Sequence, residues 1–446
     1  MSMAREGRMV KPVRVEWAGL LRRLCPPAVW QAWLGQGMGR GDVRVRWSPR
    51  CIVLAWVLMS WAAVPGLRQR LGQAWQTLAV LFSRRRRPGR SLQGLIKRTR
   101  RIGVGAMREL WEHVRTRLVP RLGAAWTWQG WRLFTVDGSR IDAPRTRANE
   151  RQLGCAGRSK TGPQWWATLL IHLPSRLPWD WRCGAGGSSE RAHLRQMLPG
   201  LPSGALLLAD AGYVGYDLLL ALLRGGVDFL IRCGGNTTLR VEGVRTIEAL
   251  GREAMVLLWP IGRGWPLALR LIVLKRRGRA MYLLTSVHEP QRLPRRQAAE
   301  LYALRWGVET IFRGLKQTLE RRKLLARTPR VGELELHGNL LGLALLLGHG
   351  ALLLGARLAR ASLAGLLRLL RQALEALRCG DARRSLRVPP TAITRDDYVR
   401  RRSKRARDWP HRKHDSPLRP PSLRGLTPAQ KRQINLLRSI GVVPDG

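Results

Sequence analysis

The sequence predicts an α/β protein in which a mixed sheet follows a helical domain and precedes further helices. Capped helical patterns fill the first 125 residues, and short apolar strands that end in Asp begin at Trp131. Alternating strands with glycine turns then precede a long apolar helical stretch. We predict a helical domain (1–125), the first part of the sheet core (126–235), a β-rich insertion (236–290), the helical remainder of the core (291–379) and a basic tail (380–446).

The helical domain shows its boundaries clearly. Ser48 and Pro49 supply an N-cap and first turn before an apolar run, and Pro65-Gly66 ends that run. The next helical pattern ends in the sequence SRRRRPGR, and a third carries basic residues from Lys97 to Arg108. Short helices with basic joints are typical of DNA-contacting domains, so we predict DNA binding here. A solvated linker is an equal alternative for Arg84 to Arg87.

Two acids stand at the ends of predicted strands. The run WRLFTVDGS places Asp137 at the end of one strand, and SGALLLADAGY places Asp210 at the end of another, beside Gly212. Open α/β sheets place their chemistry at strand ends, and glycine lets a ligand or other backbone come close. Both acids are therefore candidate site residues.

A third acid lies in the stretch YALRWGVETIFRGLK. As one helix with a repeat of 3.6 residues, it would present Tyr302, Arg305, Glu309 and Lys316 on one face. A carboxylate among cations and a phenol suits a hard metal ion and phosphate oxygens, the requirements of phosphoryl transfer. The alternative is an ordinary amphipathic helix with a charged face.

Charge favours a polyanionic partner. The chain has 80 Lys and Arg against 29 Asp and Glu, a formal charge of +51 and a pI near 11.9. Nucleic acid fits better than a membrane surface, because the cations run along the whole chain. The apolar run from Leu340 to Ala356 is short for a membrane span, which favours a buried core helix. The scattered cysteines have no zinc spacing and the N-terminus has no secretory pattern, so a cytoplasmic protein is expected.

Three motifs in order resemble the DDE transposases of the insertion-sequence-four family. They are V-D-G-S at Asp137, A-D-A-G-Y at Asp210 and Y-x2-R-x3-E-x6-K from Tyr302 to Lys316. The resemblance implies a ribonuclease-H-like core that binds two Mg²⁺ or Mn²⁺ ions through Asp137, Asp210 and Glu309. It also implies that Tyr302, Arg305 and Lys316 bind phosphates near the cut.

The same resemblance implies the partners. Family members cut double-stranded DNA at the terminal inverted repeats of their element and join it to target DNA, many through a hairpin intermediate and as dimers. We therefore expect a homodimer on DNA, no membrane association, and a bacterial cytoplasmic protein associated with the nucleoid. We expect the basic tail to be disordered without DNA.

One position departs from the family. Some relatives have an aromatic residue before L-T-S that stacks beside a flipped base, whereas this chain has Met281 followed by Tyr282. Tyr282, Trp259 or Trp265 could supply the flat ring that stacking requires. Core packing in a strand is the alternative for Tyr282.

The leading functional prediction is thus a cut-and-paste DNA transposase. The alternatives are a non-catalytic DNA-binding protein derived from a transposase and a related nuclease without a transfer step. Three other acids, Asp142, Glu150 and Asp217, lie near the proposed ones, but caps and salt bridges are the usual explanation at such positions.

Overall fold

The computed structural model describes most of the chain. The described residues are 13–15, 23–35, 46–155, 162–243, 246–262, 264–276, 279–305, 307–355, 360–381, 386–388, 393–394 and 419–439. Contacts between residues divide the chain into two compact units. The first unit comprises Met1–Trp126, Gly138–Ser188 and Glu309–Asp397, and the second comprises Thr127–Asp137, Ser189–Val308 and Tyr398–Gly446.

The described helices follow the predicted order. In chain order they are α1 (Pro27–Gly35), α2 (Pro49–Trp61), α3 (Leu67–Leu81), α4 (Leu92–Ile102), α5 (Gly105–Leu118), α6 (Arg147–Leu153), α7 (Glu190–Met197), α8 (Tyr216–Arg224), α9 (Arg295–Leu304), α10 (Gly307–Arg313), α11 (Pro329–Leu354), α12 (Leu363–Arg378) and α13 (Pro428–Ser439). The predicted N-cap holds, because Ser48 Oγ accepts a hydrogen bond from the Cys51 amide at 3.3 Å.

The described strands are concentrated between the two helical regions. They are β1 (Val13–Val15), β2 (Arg132–Asp142), β3 (Gln164–His172), β4 (Leu177–Ala185), β5 (Ala205–Ala209), β6 (Asp228–Cys233), β7 (Thr238–Arg240), β8 (Glu253–Leu258), β9 (Leu267–Arg276), β10 (Arg279–Thr285), β11 (Leu386–Val388) and β12 (Ser422–Arg424). Strands β7 to β10 fall inside the segment predicted as a β-rich insertion. The predicted mixed α/β class with a helical N-terminal part is confirmed.

Helix α11 forms the centre of the first unit. It is long and apolar enough to cross a membrane, but 89% of its apolar window is buried inside the protein. Its glycines let α2 approach closely, because a Cβ added at Gly338 would lie 2.9 Å from Trp56 Cβ. The indole of Trp61 also donates to the Gly342 carbonyl at 2.9 Å. The predicted core helix is therefore confirmed, and close backbone packing explains its glycines.

The second unit is built on a mixed sheet. Among its described residues the strand order is β12-β7-β8-β9-β10-β6-β5-β2. Strand β5 is parallel to both neighbours, β2 and β6, whereas the strands from β7 to β10 pair antiparallel. Parallel strands are buried on both faces, and every residue of β5 is buried.

The basic tail differs from its predicted disorder. Strand β12 pairs parallel to β7 at the edge of the sheet, and α13 follows it. Ile434 and Leu437 of α13 pack against Trp259 and neighbouring apolar side chains. The disorder prediction is wrong for residues 419–439, because the amphipathic pattern of α13 meets an apolar patch on the insertion. Residues 395–418 lie outside the described part of the chain.

Candidate active site

Two of the predicted acids share one edge of the second unit's sheet. Parallel pairing joins Thr135 of β2 to Leu208 of β5. Asp137 and Asp210 each lie two residues beyond that pair. Asp210 follows the end of β5, whereas Asp137 lies within β2, just past the residues that pair with β5. The predicted strand end at Asp137 is therefore wrong, because β2 continues to Asp142. Neighbouring strands in a sheet lie about 4.8 Å apart. The fold thus brings together two carboxylates that the sequence separates by more than seventy residues.

The loop after β5 holds Asp210 in place. Its Oδ1 accepts a hydrogen bond from the Gly212 amide at 2.9 Å, which caps the short turn that follows. The Gly212 carbonyl accepts from Arg191 Nε at 2.7 Å, and the Ala211 carbonyl accepts from Asn236 Nδ2 at 3.2 Å. Asp210 Oδ2 has no such bond to the residues that the structure describes. One oxygen orients the carboxylate and the other remains available to a ligand.

Tyr213 lies within electrostatic range of the two acids. Its side chain is fully buried, and burial raises the pKa of the Tyr213 hydroxyl well above its ordinary value. The negative charges of Glu190, Asp137 and Asp210 raise this pKa further, so three carboxylates lie within electrostatic range of one phenol. The A-D-A-G-Y motif contains Tyr213 and could have indicated it. Glu190 carried no sequence signal.

Tyr302 and Arg305 lie in the same unit as the two aspartates. Both side chains are buried, and Arg305 Cζ lies 5.6 Å from the centroid of the Tyr302 ring. Burial raises the pKa of Tyr302, while the positive charges of Arg305 and Arg232 oppose that rise and Asp210 adds to it. Arg232 follows the β6 residue that pairs with Ala209, which places it beside Asp210 at the sheet edge. Sequence analysis missed Arg232.

The single helix predicted from Tyr302 to Lys316 is wrong. Helix α9 ends at Leu304, α10 begins at Gly307, and Trp306 lies outside the described residues. A π-helical turn, Gly314–Thr318, then follows, in which the Leu319 amide bonds to the Gly314 carbonyl at 2.9 Å. Glycine at both breaks favours an interruption. The predicted continuous helical face is therefore not shared by Tyr302, Arg305, Glu309 and Lys316.

Glu309 and Lys316 belong to the first unit. Glu309 is half-buried in the first turn of α10, where a carboxylate also benefits from the helix dipole. Lys316 lies in the π turn, and its Nζ donates to Ser139 Oγ at 2.7 Å. Ser139 is the last residue of the V-D-G-S motif, so the structure joins the first and third motifs through this bond. π turns are frequent at functional sites.

Buried charged side chains hold the segment after the π turn through hydrogen bonds to the backbone. The guanidinium of Arg321 is buried and its Nη2 donates to the carbonyls of Ser60 and Ala62 at 3.0 and 2.8 Å. Glu335 accepts from the amides of Leu325 and Ala326, each at 2.9 Å. Burial lowers the pKa of Arg321 to about 10, which still leaves it charged at neutral pH. These bonds fix the chain on the C-terminal side of Glu309 and Lys316.

The three aromatic residues considered for base stacking differ in how exposed their side chains are. Tyr282 is 9% exposed in β10, which favours core packing over stacking on DNA. Trp259 packs against α13. Trp265 is 50% exposed, and Tyr216 Oη donates to its carbonyl at 2.6 Å, which anchors its loop. Of these three residues, Trp265 presents the accessible ring.

The three nearby acids have structural partners. Asp142 accepts from Gln164 at 2.9 Å, Glu150 pairs with Arg145 at 2.9 Å, and Asp217 pairs with Arg195 at 3.6 Å. The predicted salt bridges are present at Glu150 and Asp217, whereas Asp142 accepts from a neutral amide.

The donor chemistry suits a hard divalent metal ion. Carboxylate oxygens are the ligands that Mg²⁺ and Mn²⁺ prefer, and Asp210 keeps one oxygen available at the edge it shares with Asp137. Within the described ranges, no group of three His, Cys, Asp or Glu side chains is arranged to hold a metal ion. The residues thus fit a metal site by chemistry and supply two of its acids from one sheet edge.

Comparison with known proteins supports the motifs. A family model described as transposase DDE domain matches residues 128–345. Over this segment the chain is similar to the transposase DDE domain family. The segment contains both sheet-edge aspartates and the whole stretch from Tyr302 to Lys316, so the resemblance predicted from the three motifs is confirmed.

Two curated relatives of this DDE domain are transposases. The chain is 30% identical over 234 residues to transposase InsG for insertion sequence element IS4 of Escherichia coli (strain K12), covering 48% of this chain and 51% of that protein. It is 30% identical over 155 residues to the putative transposase y4zB of Sinorhizobium fredii (strain NBRC 101917 / NGR234), covering 33% and 43%. The chain thus spans about half the length of these relatives or less.

One solved structure is similar across much of the chain. It is the cryo-EM structure of the piggyBac transposase synaptic complex with hairpin DNA, with 12% identity and a TM-score of 0.44. The similarity covers 84% of this chain and 83% of that one.

Proposed function

We propose that the chain is a DNA transposase that cuts the ends of an insertion sequence and transfers them to target DNA. One observation carries the proposal. Asp137 and Asp210 each lie two residues beyond the parallel pair Thr135–Leu208, within the segment that matches the transposase DDE domain. The formal charge of +51 supports a double-stranded DNA partner. The family resemblance supports action as a homodimer on the terminal inverted repeats, within the bacterial cytoplasm.

Asp137, Asp210 and Glu309 would hold two Mg²⁺ or Mn²⁺ ions. When bound, such a pair supplies Lewis-acid activation of an attacking oxygen and stabilisation of a leaving oxygen at a phosphodiester. The chain's own contribution begins with orientation, because the Gly212 amide fixes one oxygen of Asp210. Tyr213 is buried within electrostatic range of Glu190 and both aspartates, so its ring excludes water from its own position near them.

Arg305 and Lys316 would bind phosphate oxygens. Arg305 offers a planar fork suited to two oxygens of one phosphate, and Lys316 offers a compact charge that Ser139 orients. Tyr302 packs against Arg305 and limits its rotamers. Arg232 adds a further cation beside Asp210. We propose these residues as the phosphate-binding part of the site.

The accessible ring of Trp265 is our candidate for stacking at a hairpin end. Stacking of a base on an aromatic ring contributes about 1–3 kcal/mol per base. The position next to Met281 is filled by the core residue Tyr282, so the insertion loop supplies the flat face instead. This assignment applies to a hairpin intermediate, and strand nicking does not require it.

The test uses the DNA that flanks the reading frame. Inverted repeats on either side define the two ends, and one labelled end is incubated with purified protein and Mg²⁺ or Mn²⁺. Cleavage at the repeat boundary is expected, with loss of cleavage but retained DNA binding in Asp137→Asn, Asp210→Asn and Glu309→Gln. Asp217→Asn is the matched control, because Asp217 is an exposed acid paired with Arg195.

Tight binding to the end without cleavage under either metal would contradict the proposal and indicate a DNA-binding relic. Cleavage without joining to target DNA would indicate a nuclease. Full activity of the Glu309→Gln variant would refute the assignment of that residue.

A further inference from the structure

A cleft lies in the first unit between the π turn and α12. Its volume is about 450 Å³, and it is lined by Gln317, Thr318, Ala364, Leu367, Arg368, Arg371 and Gln372. Two of these residues are cations and three are neutral hydrogen-bonding side chains. None of the lining residues is acidic. The cleft therefore combines positive charge with neutral donors, which suits an anion.

Arg371 is oriented by the fold. Its Nε donates to the Trp61 carbonyl at 2.8 Å, so the guanidinium is held from one side. Its Nη2 is buried and has no acceptor among the described residues. Burial lowers the pKa of Arg371, although arginine still carries its charge at neutral pH.

Arg368 presents a second cation one helical turn away. It is exposed on α12, and positions three apart on a helix lie on the same face. Gln317 and Thr318 directly follow Lys316 within the π turn, so the cleft continues from a residue of the proposed site. The π turn thus carries the proposed phosphate-binding Lys316 and one wall of this cleft.

We propose that this cleft binds a backbone phosphate of the DNA, with Arg368 and Arg371 as the contacting cations. The inference rests on the proposed function, because it places a further phosphodiester next to the segment that carries Lys316. Its role is to position the duplex, since contacts to phosphates set the register without specifying bases.

The experiment measures binding of a labelled random-sequence duplex as a function of salt. Each phosphate contact contributes about 0.9 to the slope of log K against log salt. Arg368→Gln is expected to lower the magnitude of this slope by about 1. Arg296→Gln is the matched control, because Arg296 is an exposed cation already paired with Glu300 at 3.1 Å. The salt slope of the Arg296→Gln variant should equal that of the parent protein.

Arg368→Gln decides the outcome because Arg368 is exposed, whereas Arg371→Gln also removes the hydrogen bond to the Trp61 carbonyl. A parental slope in Arg368→Gln would overturn the inference. A thermal shift with inorganic phosphate that Arg368→Gln abolishes, together with an unchanged DNA slope, would assign the cleft to a free anion and also overturn it. If the parent cleaves element ends but Arg368→Gln has the parental salt slope, the phosphate site in the cleft is refuted and the proposed function stands. If the parent does not cleave element ends but Arg368→Gln changes the slope, the phosphate site stands and the proposed function is refuted.

Discussion

Lys316 and Ser139 form a hydrogen bond of 2.7 Å that connects the π turn after α10 with the D-G-S segment of β2. The serine lies two residues after Asp137, and the lysine lies seven residues after Glu309. One bond therefore couples the positions of two motifs that lie far apart in sequence. The adjacent Gly138 has no room for a side chain, because an added Cβ would lie 2.6 Å from the Trp166 ring.

Ser139→Ala should lower the rate of end cleavage about tenfold, because a hydrogen bond to a charged group contributes about 1.5 kcal/mol. The loss should appear in the cleavage rate under saturating DNA, while overall folding measured by circular dichroism stays the same. Ser139→Thr keeps the hydroxyl and is expected to retain most activity. Full activity of Ser139→Ala would show that Lys316 needs no such positioning.

Trp265→Ala and Trp259→Ala should affect different properties, hairpin closure and stability respectively. Trp265 is exposed, so its removal should reduce hairpin closure on a nicked end and leave thermal stability nearly unchanged. Trp259 packs against Ile434 and Leu437, so its removal should lower stability by about 3 kcal/mol through a cavity. Hairpin yield on denaturing gels and urea unfolding measure the two effects. Normal hairpin yield in Trp265→Ala would exclude Trp265 as the stacking residue.

Gly342→Ala should destabilise the first unit by about 2 kcal/mol or more, because the new methyl would lie 2.8 Å from Ser60 Cβ and 3.4 Å from Trp61 Nε1. Gly72→Ala is the matched control, since Gly72 lies within α3 with no atom near an added Cβ. That substitution should stabilise the protein by about 1 kcal/mol through helix propensity. Equal effects of the two substitutions in chemical unfolding would contradict the close packing of α2 on α11.

His172 should make stability depend on pH. Burial lowers its pKa from 6.5 to about 4, and its ring nitrogens contact Ser175 Oγ and the Trp126 carbonyl. A lowered pKa in the folded state means that stability is fully present above pH 6.5 and is lost as pH falls toward 4. The loss between pH 7 and pH 4.5 should be about 2.5 kcal/mol for this residue.

His172→Gln tests that expectation by urea unfolding at both pH values. The variant should be less stable than the parent at pH 7 but lose less stability on acidification. His337 and His349 are also buried with pKa values lowered to about 3, so part of the pH dependence should remain. An identical pH dependence in parent and variant would show that His172 is not buried in its neutral form.

The sequence by itself determined the local features of this protein. Ser48-Pro49 began α2 where predicted, because an N-cap acts within one turn. The strand end before Asp210 followed from a short apolar run that stops at an acid and glycine, whereas β2 continues past Asp137 to Asp142. The three motifs indicated the transposase DDE domain, and the apolar run with glycines indicated a buried helix.

Only the tertiary structure decided the rest, because it depends on contacts between residues distant in the chain. Strand register placed Asp137 and Asp210 at one edge and added Arg232 beside them. Packing of Gly314 against Leu363 and Leu343 accompanies the π turn that carries Lys316 to Ser139, which a regular repeat of 3.6 residues could not predict. The tail likewise became ordered by covering an apolar patch on the insertion, a surface that exists only after the strands have paired.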